Sequence, residues 1–146
     1  MASGEKDKGS PGASFVRREA LDICRWTFIG DISGDEMRRL LAAQKAVMTG
    51  SPRLLLLIDL SRVGSVSPEA RKAGAANDAN NPEEKALGTA IFGASLPVRM
   101  LATLVTMAGS VLRKLKSTDS PVRFFETERE ALAWLSERRA EVVKGP

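Results

Sequence analysis

The 146-residue chain contains no histidine and no tyrosine, a single cysteine, and only 5% aromatic residues. Histidine is the commonest general base and a frequent metal ligand, so its absence excludes a Ser–His–Asp triad, a Cys–His dyad and a histidine-based zinc site. The lone Cys24 cannot form an internal disulfide or a cysteine-rich metal site. We therefore expect no enzyme activity, no metal and no cofactor.

Long apolar runs and export signals are also missing from the sequence. The uncharged stretch from Met100 to Leu112 is well short of the roughly 20 residues that span a bilayer. Residues 1–13 are rich in Gly, Ser and Lys and lack the apolar segment of a signal peptide. We expect a disordered tail over 1–13, one domain over 14–143, and a cytoplasmic protein, with peripheral membrane contact as the alternative.

The charge balance is only slightly basic. The net charge is +4 and the sequence pI is about 9.6, while hydrophobic residues make up 43% of the chain and charged residues 27%. This mixture is typical of a globular domain with a real core. No Arg- or Lys-rich run alternates with aromatic residues, so we expect no nucleic-acid partner. A small anion or an anionic lipid stays open as a partner.

Strand-like and helix-like segments alternate along the chain. Strands are predicted at 15–16 and 21–29, with a hairpin turn at Glu19-Ala20, and then at 53–60, 86–92 and 122–125. Helices are predicted to follow Ser33 and Ser67, to begin at Pro97, and to follow Thr127. This order predicts an α/β fold with a single-layer, mostly parallel sheet of four to five strands, an antiparallel edge and about four flanking helices.

Local sequence signals mark the ends of these elements. Ser33 with Glu36, and Thr127 with Glu130, have the spacing of capping boxes at helix starts. Ser67 is a good N-cap, and Pro68 suits the first helical position. The run from Leu54 to Ile58 predicts a strand that is buried on both faces.

The predicted helix from Pro97 to about Lys116 has an unusually wide apolar face. Three interpretations compete: burial between the sheet and neighbouring helices, which is favoured, the seam of a homodimer, or contact with a membrane surface. In the second and third, the contact residues are on one side of the helix: Met100, Leu104, Met107 and Val111.

Polar residues gather after the predicted parallel strands, where ligands bind in open α/β sheets. The candidates for binding a ligand or partner are Ser61, Ser67, Ser95 and Arg99. Hydroxyl groups, helix N-termini and one arginine are compatible with a small anion. The simpler interpretation, that each residue caps a helix or shapes a turn, is favoured.

Several segments resemble the SpoIIAA-like branch of the STAS family. The similarity is carried by Leu55-Leu56-Leu57-Ile58-Asp59-Leu60-Ser61-Arg62-Val63, Ser67-Pro68-Glu69-Ala70-Arg71, Ile91-Phe92-Gly93-Ala94-Ser95, Arg99-Met100-Leu101-Ala102, and the distinctive Val122-Arg123-Phe124-Phe125-Glu126-Thr127-Glu128-Arg129-Glu130-Ala131-Leu132-Ala133-Trp134-Leu135. The resemblance covers roughly Phe15 to Arg139. It implies a non-enzymatic module that binds a protein partner, such as an anti-sigma-factor antagonist or another regulator in bacterial signalling. The alternative is a small-ligand or lipid-binding domain of the Sec14-like type.

The resemblance also implies a candidate phosphosite with one departure from the family pattern. Classical antagonists carry a phosphorylated serine at the start of the second helix, but Pro68 occupies that position here. Ser67 is one residue earlier, where a phosphate would meet the positive end of the helix dipole. Glu69 and the missing amide of Pro68 disfavour a phosphate, so capping is the favoured role of Ser67.

Overall fold

A computed structural model describes residues 13–80, 86–95 and 121–144. Five strands and three helices lie in these ranges. They are β1 (Phe15–Ala20), β2 (Ile23–Ile32), α1 (Gly34–Val47), β3 (Leu55–Val66), α2 (Pro68–Asn80), β4 (Thr89–Phe92), β5 (Val122–Phe125) and α3 (Glu128–Lys144).

The strands form one five-stranded sheet in the order β1-β2-β3-β4-β5. β1 and β2 are antiparallel, and all other neighbours are parallel. The predicted fold class, with an antiparallel edge on a mostly parallel sheet, is confirmed. The fourth predicted helix, from Pro97, and most of the predicted tail lie outside the described residues.

Two hydrophobic cores cover the two faces of the sheet. Side chains alternate along β2, so Cys24, Trp26 and Phe28 share the face that packs on α1 and α2. Leu55 and Leu57 face the opposite side and pack on α3. The leucine-rich strand is therefore buried on both faces, as its apolar run predicts.

The predicted hairpin turn at Glu19-Ala20 is wrong. β1 continues through Ala20, after an irregularity in its pairing with β2, and the chain turns at Leu21 and Asp22 instead. Asp22 fixes this position because its backbone carbonyl accepts a hydrogen bond from the amide of Leu55 at 2.8 Å. Leu21, predicted within the second strand, lies in the turn with 66% of its surface exposed.

The Asp22 carboxylate also attaches the last helix to the sheet. It is buried and accepts hydrogen bonds from Nε and Nη2 of Arg139, the shortest at 2.6 Å. These bonds raise the pKa of the Arg139 guanidinium against the opposing effect of its partial burial. A bidentate pair of this kind joins the turn between β1 and β2 to the second half of α3.

Strands β2 and β3 both extend further than predicted. β2 ends at Ile32 rather than residue 29, and β3 spans Leu55–Val66 rather than 53–60. The extensions pair with each other through Ile29 and Arg62, and through Ile32 and Val66. Residues 61–65 are mostly polar and exposed, so no apolar pattern marks them as a strand. Only their backbone pairing with β2 extends β3 through these residues.

The helix starts follow the predicted capping signals. Ser33 Oγ accepts a hydrogen bond from the amide of Glu36 at 3.1 Å. Thr127 and Glu130 exchange two such bonds, each between one amide and the other side chain, and both measure 3.2 Å. The Ala-rich α2 continues through Asn80, so it includes Asn77 and Asp78, residue types that are more typical of loops.

Candidate functional site

The chain past Asp59 in β3 forms the centre of the candidate site. β4 ends at Phe92, which is paired with Asp59, so the rest of β3 extends beyond its neighbour. The next residue, Gly93, has a positive φ of 79°. A Cβ there would lie 2.9 Å from Cβ of Ser61, so glycine permits both the turn and the close approach of the two chains.

Asp59 and Ser61 form a compact turn at this edge. The Asp59 Oδ1 atom accepts hydrogen bonds from the amide of Ser61 at 2.9 Å and from its hydroxyl at 2.6 Å. Ser61 is exposed, but its hydroxyl is already occupied as a donor. Ser61 was predicted at this edge of the sheet, and the structure places it there in contact with Gly93.

A hydrogen bond between β2 and β3 holds the far end of β3. The Asp31 carboxylate accepts a hydrogen bond from the amide of Ser65 at 2.9 Å. This backbone bond, and a weaker one from the Ser65 hydroxyl, hold the pKa of the Asp31 carboxyl below its usual value. Gly64 passes so close that a Cβ would overlap the Asp31 oxygen. The end of β3 is therefore held by contacts within the chain.

Ser67 caps α2. Its hydroxyl accepts a hydrogen bond from the amide of Ala70 at 3.0 Å, and its own amide donates to the carbonyl of Ile32 at 3.0 Å. The side chain of Arg71 donates to the carbonyl of Val66 at 3.1 Å. The predicted capping role is confirmed, and Ser67 is half-buried in this position.

The starts of α1 and α2 lie side by side at this edge. A Cβ on Gly34 would be only 2.8 Å from Cβ of Glu69, so the absence of a side chain at residue 34 allows the two helices to approach. Both first turns carry exposed carboxylates, Asp35 on α1 and Glu69 on α2. These carboxylates complement the positive ends of the two helix dipoles.

These features define one exposed region, here called the carboxyl-edge surface. It consists of residues 61–65 at the end of β3 and the start of α2 from Ser67 to Glu69. Its charged groups are few and of both signs, Arg62 and Glu69. The surface is polar and protrudes past β4. Its shape is held by the carboxylates of Asp59 and Asp31, which accept hydrogen bonds from Ser61 and Ser65.

Arg25 on β2 is a buried arginine that no sequence motif singled out. Only 7% of it is exposed. Its guanidinium lies 2.7 Å from Glu128 at the start of α3, 3.1 Å from Glu19 and 3.8 Å from Asp59, and 5.8 Å from the centre of the Phe92 ring. Burial alone would lower the pKa of Arg25, but its bonds to Glu128 and Glu19 outweigh this effect and raise it.

A sequence signal for Arg25 did exist. It stands between Cys24 and Trp26, and strict alternation places it among the inward-facing residues of the other sheet face with Ile23. A charge at such a position requires a partner from another element. The partners are distant in sequence, so their identity became visible only in the folded chain.

The remaining predicted site residues fall into two groups. Ser95 is exposed, two residues past the turn at Gly93. Arg99, Met100, Leu104, Met107 and Val111 lie outside the described residues. The predictions of a ligand contact at Arg99, a homodimer seam and a membrane-facing helix therefore stay predictions.

Cys24 is buried in the sheet core, and Trp134 on α3 is partly buried. Cys24 is fully buried as a free thiol, and Trp134 packs on Phe125 with ring centres 5.9 Å apart. Among the described side chains, no group of three His, Cys, Asp or Glu residues is arranged to hold a metal ion. None of the described helices is long and apolar enough to cross a membrane.

Comparison with known proteins places this geometry in a family. The chain aligns with an uncharacterised protein of SpoIIAA-like fold from Shewanella loihica PV-4 at 18% identity and a TM-score of 0.60, over 84% of this chain and 91% of that one. The anti-sigma factor antagonist SpoIIAA in its unphosphorylated form matches at 12% identity and a TM-score of 0.55, over 84% and 97%. No curated protein matches the sequence.

Both structural similarities are at low identity, so they establish the shared fold alone. The sequence profile of the SpoIIAA-like family matches residues 23–136, which is well over half of the chain. The matched range runs from the first residue of β2 into α3 and includes every residue of the carboxyl-edge surface. The chain belongs to the SpoIIAA-like family.

Proposed function

We propose that the chain is a non-enzymatic regulatory module that binds a protein partner through the carboxyl-edge surface. The observation that carries this proposal is the shape of that surface. An exposed polar strand end lies beside a capped helix start, and hydrogen bonds accepted by the side chains of Asp59, Asp31 and Ser67 hold both in place. A surface fixed in advance loses little conformational freedom when a partner binds.

The protein-binding role is also supported by the family. A solved protein of the same fold acts as an anti-sigma factor antagonist, a role that consists of binding other proteins. The absence of histidine from the whole sequence removes the commonest general base, which favours binding over catalysis. We extend the binding role, and not the identity of the partner, to this chain.

Ser67 is the candidate phosphosite on this surface. Its hydroxyl already accepts a hydrogen bond from the Ala70 amide. Glu69, two residues further along, adds negative charge to the same helix turn. A phosphate at this position would gain from the helix dipole but would be repelled by the Glu69 carboxylate. We propose that Ser67 acts as a cap and that partner binding does not require its phosphorylation.

Charge reversal on the surface tests the proposal. Arg62→Glu and Glu69→Arg change exposed side chains that take no part in the hydrogen bonds accepted by Asp59 and Asp31. The tagged wild-type chain and both variants are used to capture proteins from cells that express the chain. A matched control, Glu137→Arg, reverses an exposed charge on α3, away from this surface.

We expect a captured protein that the wild type and Glu137→Arg retain equally. Arg62→Glu or Glu69→Arg should bind that protein more weakly. Changes of several-fold are typical for charges at the rim of an interface. A protein retained equally by all four chains would show that binding occurs elsewhere. The same capture with Ser67→Asp measures whether negative charge at this position controls binding.

A further inference from the structure

β1 forms one edge of the five-stranded sheet. It pairs with β2 on its inner side, and no other strand of the described ranges lies next to it. The pairing with β2 begins just after Ser14, whose hydroxyl accepts the amide of Ile29 at 2.7 Å. The outer side of β1 is therefore an open strand edge in the part of the chain that the structure describes.

The backbone groups of Val16 and Arg18 point away from the sheet at this edge. The Asp22 carbonyl binds the amide of Leu55 in β3, so even-numbered residues of β2 direct their backbone groups to β3 and odd-numbered ones direct theirs to β1. The odd-numbered residues of β2 pair with odd-numbered residues of β1. The two even-numbered residues in the regular part of β1 therefore direct their amides and carbonyls outwards.

Three arginine side chains line the same edge. Arg17 lies on the sheet face that α3 covers, and 59% of its side chain is exposed. Arg18 is exposed on the opposite face, beside α1. Arg39 of α1 donates a hydrogen bond to the carbonyl of Ser14 at 2.9 Å, so its guanidinium lies at the start of β1.

The accessible charge at this edge is positive. The carboxylates that contact the three arginines belong to Glu19 and Glu36, whose side chains are only 25% and 7% exposed. The carboxylates of Asp59 and Glu128 pair with Arg25 of β2, further from the edge. A carboxylate that approaches β1 from outside therefore meets arginine side chains first.

These arginines oppose pairing of β1 with a second copy of itself. When a twofold axis relates two antiparallel strands, one residue lies opposite its own copy. In the registers that overlap most of β1, that residue is Arg17 or Arg18, and like charges directly opposite each other destabilise a strand pair. The charges protect the edge against self-association, but they do not close it to a strand of opposite charge.

We propose that the outer edge of β1 binds an extended acidic segment of a partner protein, which adds to the sheet as a further strand. The backbone of the segment pairs with the outward amides and carbonyls of Val16 and Arg18. Two consecutive carboxylate side chains of the segment point to opposite faces, so one meets Arg17 and the other meets Arg18. Phe15, which is 39% exposed, offers an apolar contact on the Arg17 face.

This edge is a second surface for protein binding. β2 separates β1 from β3, which carries much of the carboxyl-edge surface. The strand addition therefore does not depend on the function proposed for that surface, and short peptides test it without the partner of that surface.

Two hexapeptides with blocked termini test the charge requirement. One has the sequence Thr-Val-Glu-Glu-Val-Thr, and the other has lysine in place of both glutamates. Each is titrated into the full-length, isotope-labelled protein while amide resonances are followed by NMR. We expect saturable shifts along β1 with the glutamate peptide, and at least tenfold weaker binding of the lysine peptide.

Hydrogen exchange tests whether the peptide adds as a strand. In the free protein, the amides of Val16 and Arg18 should exchange faster than the amide of Arg17, which bonds to β2. A saturating amount of the glutamate peptide should slow exchange of the first two amides severalfold. A contact made by side chains alone would shift resonances but would leave these exchange rates unchanged.

Charge reversal on β1 completes the test. We expect Arg17→Glu and Arg18→Glu each to weaken binding of the glutamate peptide about fivefold, because a cross-strand attraction becomes a repulsion. Lys72→Glu makes the same change of charge at an exposed position on α2, and it should bind the peptide as the wild type does.

Any of four results overturns the proposal. The glutamate peptide produces no saturable shifts along β1, the lysine peptide binds equally tightly, exchange at Val16 and Arg18 is unchanged in the complex, or neither reversal on β1 weakens binding more than Lys72→Glu does. The first result would mean that the arginines only protect the edge against self-association.

Discussion

At the scale of single residues, the hydroxyls of two serines perform the same task at neighbouring helix starts. Ser33 accepts the amide of Glu36 at 3.1 Å, and Ser67 accepts the amide of Ala70 at 3.0 Å. Both satisfy an amide that the helix itself leaves without an acceptor. Ser67 is therefore explained by local structure before any regulatory role is considered.

Substitution of Ser67 separates capping from signalling. We expect Ser67→Ala to lower the free energy of unfolding by about 1 kcal/mol, because the Ala70 amide loses its acceptor. Ser67→Asp should stay close to the wild type, since aspartate is an equally good N-cap. Urea denaturation at pH 7 measures both, with Ser33→Ala as a comparator of similar expected loss. If Ser67→Ala were as stable as the wild type, the capping interpretation would fail.

The buried Cys24 thiol should make the folded protein less stable as pH rises into the alkaline range. Burial raises the pKa of the Cys24 thiol to about 12, against smaller opposing contributions from Trp26 and Arg18. The unfolded chain ionises this thiol at its ordinary pKa near 8.5, so its contribution to stability is intact below that value and is lost as pH rises toward 12.

The measurement is urea denaturation between pH 7 and 10.5. We expect stability to fall more steeply with pH in the wild type than in Cys24→Ala, by up to about 1.4 kcal/mol per pH unit above the ordinary thiol pKa. In the native protein at pH 8, the thiol should also react with iodoacetamide far more slowly than in urea. Equal slopes in the two chains would contradict a buried neutral thiol.

At the scale of elements, the paired extensions of β2 and β3 depend on a glycine. Gly64 leaves room for the Asp31 carboxylate to accept the Ser65 amide. Because this bond lowers the pKa of Asp31, its contribution to stability is present above the ordinary carboxyl pKa and is lost as pH falls through the lowered value.

Gly64→Ala should displace the Asp31 side chain and raise its pKa toward the ordinary value. An NMR titration of the Asp31 carboxyl carbon measures the shift directly. Gly74→Ala is the control, because a Cβ there meets no neighbouring atom and alanine favours the helix interior. A low Asp31 pKa that persists in Gly64→Ala would mean that the Ser65 bond is not its cause.

The sequence predicted where these elements begin better than where they end. Ser33, Ser67 and Thr127 gave correct helix starts, since a cap acts within three residues of itself. The ends of β2 and β3 were missed because backbone pairing between two distant segments extends them through polar residues. The hairpin turn was misplaced for a similar reason, since Leu55 and Arg139 both bind Asp22.

At the scale of the whole molecule, Arg25 joins elements that are far apart in sequence. Its guanidinium pairs with Glu19 on β1, Asp59 on β3 and Glu128 at the start of α3. One buried cation thus connects the antiparallel edge, the sheet centre and the last helix. The three carboxylates are partly exposed to water. If Arg25 is removed, the water therefore weakens the repulsion between them.

We expect Arg25→Met to lower the free energy of unfolding by roughly 2–3 kcal/mol, below the range for a fully buried pair because the carboxylates reach water. Arg25→Lys should lose less, since it retains the charge but not the forked geometry. Chemical denaturation measures both. The control Arg17→Met changes an exposed arginine that also pairs with Glu19, and it should alter stability by about 0.5 kcal/mol or less. A loss in Arg25→Met no greater than that of Arg17→Met would refute a central role for Arg25.

The sequence by itself determined the class of fold and the starts of the described helices. Alternating strand and helix segments, a leucine-rich strand and local capping signals act over short distances, so one chain read in order contains them. The missing histidines also restrict the available chemistry without any structure. The tertiary structure alone decided which side chains meet: Arg25 contacts three carboxylates from other elements, and Asp22 pairs with Arg139, while the Thr27 hydroxyl has no hydrogen-bond partner in the part of the chain that is described. These outcomes depend on register and on packing between strands and helices, which bring together side chains up to 117 positions apart.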